Sequence, residues 1–539
     1  MTAGIEQPAP PRGRVVMLVD NGVEGDSRVQ KQARSAAAAG WEVTLLGFRP
    51  QSAGPAEWTV GGAKVRVIGL KRPLKTHRSA LRWSLRRPLA YSSLPMANNR
   101  LQTVRAWHAD LTMRFAVLGM ARRSGGSARA ERLGRLRLVP ARVANKIFQA
   151  WVRLRVAEMH RLKAAREDPA SPLNRAMIRF WQATRGEKCW RRLDPTLYDF
   201  EIGYRDEIDK LEPDIIHAND YRVLGVAARA KLRAAAHGRD VKMVWDAHEY
   251  VPGLAPVSWW PGWLPAQIAY EREFAGYADA VVTVSPALSE LLRDDYALSE
   301  PPAVVQNCPQ RDEIDTGGTG PDLDLRADCG VAADTPLLAY CGGITPVRGV
   351  TLMVEALPDL PGVHVAFVSL HPNGGRGSID EIEATARRLG VADRIHVLPY
   401  VQHWQVVPYL SSADAAVSPL LHLPNHEIAL SNKFFEYSHA RLPVVTSDVR
   451  TMSEVVRRTG QGEVFVAGDR EGYLRAVRAV LADPQRYRAA YDQPGLLDQW
   501  TWNAQAAVLD HVYSGLLPGS APRTAAQPAE SSREAGSLI

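Results

Sequence analysis

Cysteine is scarce in this 539-residue sequence: Cys189, Cys308, Cys329 and Cys341 are the only four, and none stands in a CxxC pair. That excludes a zinc ribbon and a disulfide scaffold, and reduced cytosol is the expected compartment. No stretch approaches the ~18 consecutive apolar residues a membrane span requires; Phe115 to Ala121 is typical of the longest runs. The start, MTAGIEQPAPPRGR, is polar and proline-rich and lacks the apolar core of a secretory signal. With 41 Gly and 37 Pro, the chain is no collagen or low-complexity polymer.

What is present is a 46% hydrophobic chain, long enough for two or three domains. Its formal charge of +8 conceals two opposite contributions. Residues 71–192 hold 29 Lys and Arg against 6 Asp and Glu, a local net of +23. The remainder holds 37 against 52, a net of −15. An acidic body thus carries one basic block, which points to an anionic partner for that block.

Outside the block, apolar β-rich runs alternate with helical ones. VVMLVD (15–20), WEVTLLGF (41–48), DIIHAND (214–220), VKMVWDAHEY (241–250) and ADAVVTVSP (278–286) form a first series of strands. A helix around VQKQARSAAAAG lies between the first two, with Gly40 as its stop. PLLAYCGG (336–343), HVAFVSL (364–370), RIHVLPYV (394–401), ADAAVSP (413–419) and PVVTSD (443–448) form a second series. Such alternation predicts two α/β domains, each a doubly wound, Rossmann-like parallel sheet covered by helices. Ligands of open α/β sheets bind beyond the carboxyl ends of the strands. The predicted boundary lies near DTGGTGPD (315–322).

Four segments in this order resemble the two-domain GT-B glycosyltransferases, family 4 of the retaining type: DSRVQKQARSAAAAGWEV, LEPDIIHAND with WDAHEY, YCGGITPVRGV, and SNKFFEYSHARLPVVTSD. The resemblance covers roughly residues 14–70 and 200–515. It implies an N-terminal acceptor-side domain over 14–318, interrupted by the basic, mainly helical insertion 71–192. A C-terminal nucleotide-sugar domain follows over 319–497. QWTWNAQAAVLDHVYSGLL resembles the family's last helix (498–517), which crosses back to the N-domain with Trp502 as aromatic anchor. Residues 1–13 and 518–539 have the composition of disordered ends.

In SNKFFEY, Lys433 and Glu436 are spaced i, i+3 on one helix face, with Ser431 and Asn432 at the helix start. The cation and the helix N-terminus suit a diphosphate, and the carboxylate suits ribose hydroxyls. The resemblance gives Glu436 that ribose role; a local Lys433–Glu436 ion pair is the plain alternative. The family's second Glu falls here on Ile428, with Glu427 one residue out, so the donor sugar has no obvious carboxylate. Gly342 and Gly343 let backbone approach phosphate before the helix in VTLMVEAL, and Arg348 adds a cation. His248 in DAHEY, by the resemblance, faces the donor sugar. His217 and Asp220 end the preceding strand, either lining the cleft or, for His217, packing in the core. Asp26 and Arg28 suit the acceptor side with Asp220 and Glu249; helix capping by Asp26 or Ser27 is the rival reading.

No DxD-type carboxylate pair is placed at a suitable strand end, and the resemblance implies that no bound metal is needed to hold the diphosphate; no metal or cofactor is expected, and the implied donor is a nucleotide-diphosphate sugar substrate. Arg348, Lys433 and helix N-termini then carry leaving-group stabilisation, and His248 completes the catalytic set. Retention needs no side-chain nucleophile, whereas inversion needs a base, for which Asp26, Asp220 or His248 are candidates. A sugar-nucleotide epimerase and a degenerate GT-B scaffold are the alternatives.

The basic block also contains Trp83, Trp107, Trp151, Trp181 and Trp190. Val143, Ile147, Trp151 and Leu154 fall at helical spacing, amid Arg142, Lys146, Arg153, Arg155 and Arg161. Basic helices carrying aromatics lie on anionic membranes. The expected partners are therefore an anionic membrane surface or a polyanionic glycan acceptor, and the resemblance to family 4 adds a lipid-linked acceptor at the cytoplasmic face. That places the chain in the cytoplasm, peripheral at the inner face of the plasma membrane. Packing on the N-domain is the structural alternative, and nucleic acid is not expected.

Overall fold

The computed structural model describes residues 11–72, 74, 89–255, 260–311, 323–370 and 378–519. The predicted boundary at 315–322, Trp83, and nearly all of both terminal segments lie outside these residues. The chain divides into two compact units: Met1–Gly69 with Gly203–Leu254 and Glu271–Ile539, and Leu70–Ile202 with Ala255–Tyr270.

The first unit contains two sheets. One comprises β1 (Arg14–Leu18), β2 (Glu42–Pro50), β3 (Ala56–Val60), β4 (Ala63–Leu70), β5 (Ile215–Asn219), β6 (Lys242–Ala247), β7 (Ala280–Thr283) and β8 (Ala303–Val304). Their order is β3-β4-β2-β1-β5-β6-β7-β8. From β2 through β1 and β5 to β8 every neighbouring pair is parallel. β3 and β4 are an antiparallel hairpin not read from the sequence. Exposure alternates along β3, as it does where one face of a strand stays wet.

The second sheet comprises β9 (Leu337–Cys341), β10 (His364–Leu370), β11 (Ile395–Pro399), β12 (Ala415–Ser418), β13 (Val444–Ser447) and β14 (Gly462–Phe465). Its order is β11-β10-β9-β12-β13-β14, parallel throughout. Alternation along β9 buries both faces. Leu337, Ala339 and Cys341 pack with Phe434, Tyr437 and Trp500, while Leu338 and Tyr340 pack with Met353, Val354 and Tyr473. All four cysteines are buried and free, acting as small apolar side chains.

Two helices matter most for the site. Ser27–Ala38 follows β1 and is capped by Asp26, whose carboxylate accepts from the Val29 amide. Trp502–Leu516 closes the described chain and packs on the first sheet: Trp502, Leu509 and Tyr513 join Val29, Ala33 and Val43 in one core. Its first amide donates to the Pro309 carbonyl at 2.7 Å, and Trp41 Nε1 donates to Asp510 at 2.7 Å.

The second unit is helical. Leu94–Arg123 and Ala128–Glu167 pack together along a seam that includes Ala97, Val104, Val152 and Met159. Trp107 meets Phe148 edge-on at 6.5 Å, and Arg142 lies over Phe115. Pro172–Arg185 follows, and then Trp190, fully buried between Tyr198 and Tyr270. Among the described residues no helix is long and apolar enough to cross a membrane.

Candidate active site

The carboxyl ends of β1, β5 and β6 carry the first group of predicted residues. Asp246, at the end of β6, has no exposure and collects polar partners from three directions. Arg28 donates to it twice, from Nε at 3.0 Å and Nη2 at 2.8 Å, and Gln32 donates at 2.6 Å. His217 and His248 approach it with Nε2 at 3.6 and 3.2 Å. Burial opposes the charge, but Arg28, His248 and the two imidazole contacts outweigh it and hold the carboxyl well below the usual range. His217 in turn bonds the Tyr513 hydroxyl at 2.7 Å, tying the last helix to β5.

This network corrects two sequence expectations. Arg28, expected on the acceptor side, is 4% exposed and turned inward, its remaining arm donating to the Val305 carbonyl. The reason is electrostatic: a buried carboxylate at the end of β6 needs a compensating cation. Asp26 is occupied as the helix cap and accepts from Asn21 Nδ2 at 2.8 Å. His217 is a core residue.

Asp220, Glu249 and His248 form the more open part. Asp220 holds a left-handed backbone, with φ of 71°, and its carboxylate accepts from the Tyr221 amide. His248 is about a quarter exposed; burial lowers its affinity for a proton, yet the Asp246 carboxylate more than offsets this and raises its pKa. Burial, reinforced by Asp220, pushes Glu249 up to about 7. Asp20, two residues past β1, pairs with Arg222, three past β5, at 2.6 Å and shares this field; neither residue stood out in the sequence. Glu271 is a further member that no motif flagged. Burial pushes it up to about 8 although the Tyr296 hydroxyl donates to it, and Asp220 and Glu249 add to the rise.

The folded Glu271 therefore keeps its proton above the pH at which the unfolded chain releases it. Its contribution to stability is in place below about pH 4.5, the unfolded value, and is lost as pH rises through about 8. Glu271→Gln, which cannot ionise, is expected to gain Tm relative to the wild type progressively between those limits. Parallel Tm–pH curves would show that Glu271 is ordinary.

In the second sheet the predicted nucleotide-sugar residues gather after β9 and on the helix Asn432–His439. Lys433 Nζ pairs with Glu436 Oε2 at 2.9 Å, so the local ion pair is formed. Burial disfavours the ammonium, but Glu436 and Cys341 more than compensate and its pKa is raised. Ser431 is the N-cap and makes no side-chain capping bond; Asn432 beside it is exposed. Tyr437 accepts from the Cys341 amide at 2.9 Å, which fixes the helix against the end of β9. Tyr340 donates to the Gly343 carbonyl at 2.8 Å and shapes the glycine loop. Burial pushes the Tyr340 phenol up to about 12, against the fields of both Arg348 and Lys433.

The glycine loop differs from the expectation in one respect. The helix after it, Thr351–Glu355, is one short turn, and Arg348 ends a separate 3-10 turn, Pro346–Arg348, with its side chain exposed. Gly349 closes that turn with φ of 68°, and a Cβ there would overlap the Pro419 carbonyl. Gly349→Ala is expected to cost more than about 1 kcal/mol of stability and to displace Arg348. Unchanged denaturation and unchanged donor affinity would count against that role.

The segment replacing the family's second carboxylate is also ordered. Ile428 is buried, and Glu427 is taken up by His422 at 2.5 Å and the Arg450 amide at 2.7 Å. Asn425 exchanges hydrogen bonds with the Tyr250 backbone at 2.8 and 3.1 Å, and Ser285 donates to the Ile428 carbonyl at 2.5 Å. The loop after β6 and the loop before Asn432 are thereby joined. Asn425 was not a candidate; nothing local marks an asparagine whose partner is 175 residues away.

Two open parallel sheets with these groups at their carboxyl ends define the GT-B architecture of glycosyltransferases. Residues 335–483 match the family model described as glycosyl transferases group 1, and residues 152–309 match glycosyltransferase family 4. Together they span more than half of the chain, which belongs to the GT-B glycosyltransferases of family 4 type. The second match begins inside the basic block, so the resemblance reaches further into it than the motifs indicated.

Glycogen synthase of Mycobacterium tuberculosis is 28% identical over 306 residues, 56% of this chain and 68% of that protein. The D-inositol 3-phosphate glycosyltransferase of Xylanimonas cellulosilytica is 28% identical over 192 residues, 35% of this chain and 45% of its own length. The chain thus spans less than half of that relative. Among solved structures, Anabaena Alr3699/HepE in complex with UDP and glucose aligns with a TM-score of 0.55 at 13% identity, covering 93% of this chain and all of that one.

Proposed function

We propose that this glycosyltransferase moves a sugar from a nucleotide-diphosphate sugar to a hydroxyl of a lipid-linked or glycan acceptor, with retention and without a metal. The observation that carries the reading is the Lys433–Glu436 pair against the end of β9, where Tyr340 feels the fields of both Lys433 and the exposed Arg348. A diphosphate displaces the ammonium from its carboxylate, leaving Lys433 and Arg348 on phosphate and Glu436 on ribose. The acceptor oxygen bonds to the anomeric carbon on the face the diphosphate leaves, and the departing phosphate oxygen takes the hydroxyl proton. Fixed cations stabilise the charge developing on that oxygen. His248, whose pKa the Asp246 carboxylate raises, would donate to the sugar. Asp220 and Glu249 would receive the acceptor. The Anabaena protein's UDP makes a uridine donor the first to try.

Thermal-shift measurement against UDP-, GDP- and dTDP-sugars tests the reading; stabilisation by one class is expected, and none by any would overturn it. Turnover with that donor should survive EDTA, and loss restored by Mg²⁺ would remove the metal-free mechanism. In this reading the enzyme works in the cytoplasm, peripheral to the inner face of the plasma membrane.

A further inference from the structure

The long helix of the second unit is apolar on two opposite sides, and among the described residues only one of them is packed. Asn145, Val152 and Met159 are buried toward its neighbour. Leu136, Val139, Val143, Ile147, Trp151 and Leu154, at steps of three and four residues, occupy the opposite side and are all exposed, Leu136 by 64% and Ile147 by 66%. The row runs for about 27 Å at 1.5 Å per residue. Arg132, Lys146 and Arg153 project along one edge of it and Arg137 along the other, all exposed. Between Met113 and Trp151 there are nine basic residues and one acidic, Glu131, which is paired with Arg135 at 2.8 Å.

A soluble helix has no reason to keep so long an apolar row in water. Pairing the row with a second copy would bring basic edges against basic edges, which is unfavourable. A surface that is apolar below and anionic above satisfies both parts at once: the side chains enter the acyl boundary while the guanidinium and ammonium groups stay among phosphates. We infer that the face bearing Leu136 to Leu154 is the surface by which this enzyme docks on an anionic phospholipid bilayer, lying in the interface rather than crossing it. The inference rests on the peripheral placement proposed above and assigns it to one helix face. The shorter apolar set Met113, Val117 and Met120 on the preceding helix offers three residues and is left out.

The test is flotation of the full chain with phosphatidylcholine vesicles and with vesicles containing 30% phosphatidylglycerol, at low and high salt. Binding to the anionic vesicles only, weakened at high salt, is expected. The combined variant Val143→Ser, Ile147→Ser, Trp151→Ser should partition at least ten-fold less while keeping the wild-type Tm, because all three side chains are exposed. The variant Arg132→Gln, Arg137→Gln, Lys146→Gln should lose the preference for anionic lipid. Failure of the wild type to float, equal flotation on neutral lipid, or undiminished binding by the serine variant would overturn the assignment. So would a dimer, seen by light scattering, that the serine variant dissolves. Donor-induced thermal shift of the same variants reads the transfer chemistry separately, so loss of docking with donor binding intact leaves that reading standing.

Discussion

Asp246→Ala is expected to lower the stability of the protein by about 3–5 kcal/mol, because it strands a buried guanidinium without its carboxylate. Arg28 is 4% exposed and cannot turn to water without opening the packing between the first helix and β6. Gln32, His217 and His248 would lose their shared acceptor in the same step. Denaturant unfolding measures the effect, and a loss below about 1 kcal/mol would show that the pair is not held as described. The double variant Arg28→Met, Asp246→Leu should be less damaged than Asp246→Ala, since it removes both charges. The contribution has a defined pH range. The carboxyl is held below its unfolded value of about 3.9, so the stabilisation is in place above that pH and is lost as acid titrates the folded group.

Glu436→Ala is expected to weaken donor binding by about 100-fold or more, since a hydrogen bond to a charged group contributes about 1.5–3 kcal/mol and ribose offers two hydroxyls. The fold should persist. Glu436 is 8% exposed and its ion-pair partner is one turn away on the same helix, so Lys433 regains water or Cys341 contacts when the carboxylate is removed. Isothermal titration with the stabilising nucleotide sugar is the measurement. Binding within a few-fold of wild type would remove Glu436 from the ribose, and a parallel fall in Tm would assign it to structure instead. Glu436→Gln should fall between, keeping an acceptor oxygen but losing the charge. Lys433→Ala supplies the complementary comparison: a diphosphate contact should be lost while the ribose contact remains.

Ten strands of the two parallel sheets were legible because strands covered on both faces read as near-continuous apolar runs; β14, only four residues long and containing Gly462 and Glu463, was not. β3 and β4 were not, because a hairpin with one wet face alternates and is diluted by Glu57, Lys64 and Arg66. β8, two residues long, carries too little pattern to register. The Lys433–Glu436 contact and the position of Gly342 and Gly343 after a strand were legible because they are local: i, i+3 spacing on one helix, and glycines at a strand end. Arg28 was misplaced because the residue that claims it, Asp246, is 218 positions away. Glu271, Asp20 and Arg222 were missed for the same reason. A carboxylate acquires a displaced pKa from its surroundings, and those surroundings are assembled only by the fold.

By itself the sequence determined the α/β class, the two parallel sheets, the i, i+3 placement of Lys433 and Glu436 and the division between an acidic body and a basic block. These properties rest on composition, periodicity and short spacing, which tertiary context does not alter. Tertiary structure alone decided which charges are available for chemistry. Burial turned Arg28 and Asp246 into a structural pair and His217 into a core residue, while leaving Arg348 exposed. It also decided which side of the basic block's long helix is exposed. Helical spacing placed Val143, Ile147, Trp151 and Leu154 on one side, but spacing cannot tell a buried side from a bare one. Only the packing of Val152 and Met159 against the neighbouring helix shows that the opposite row is left to water.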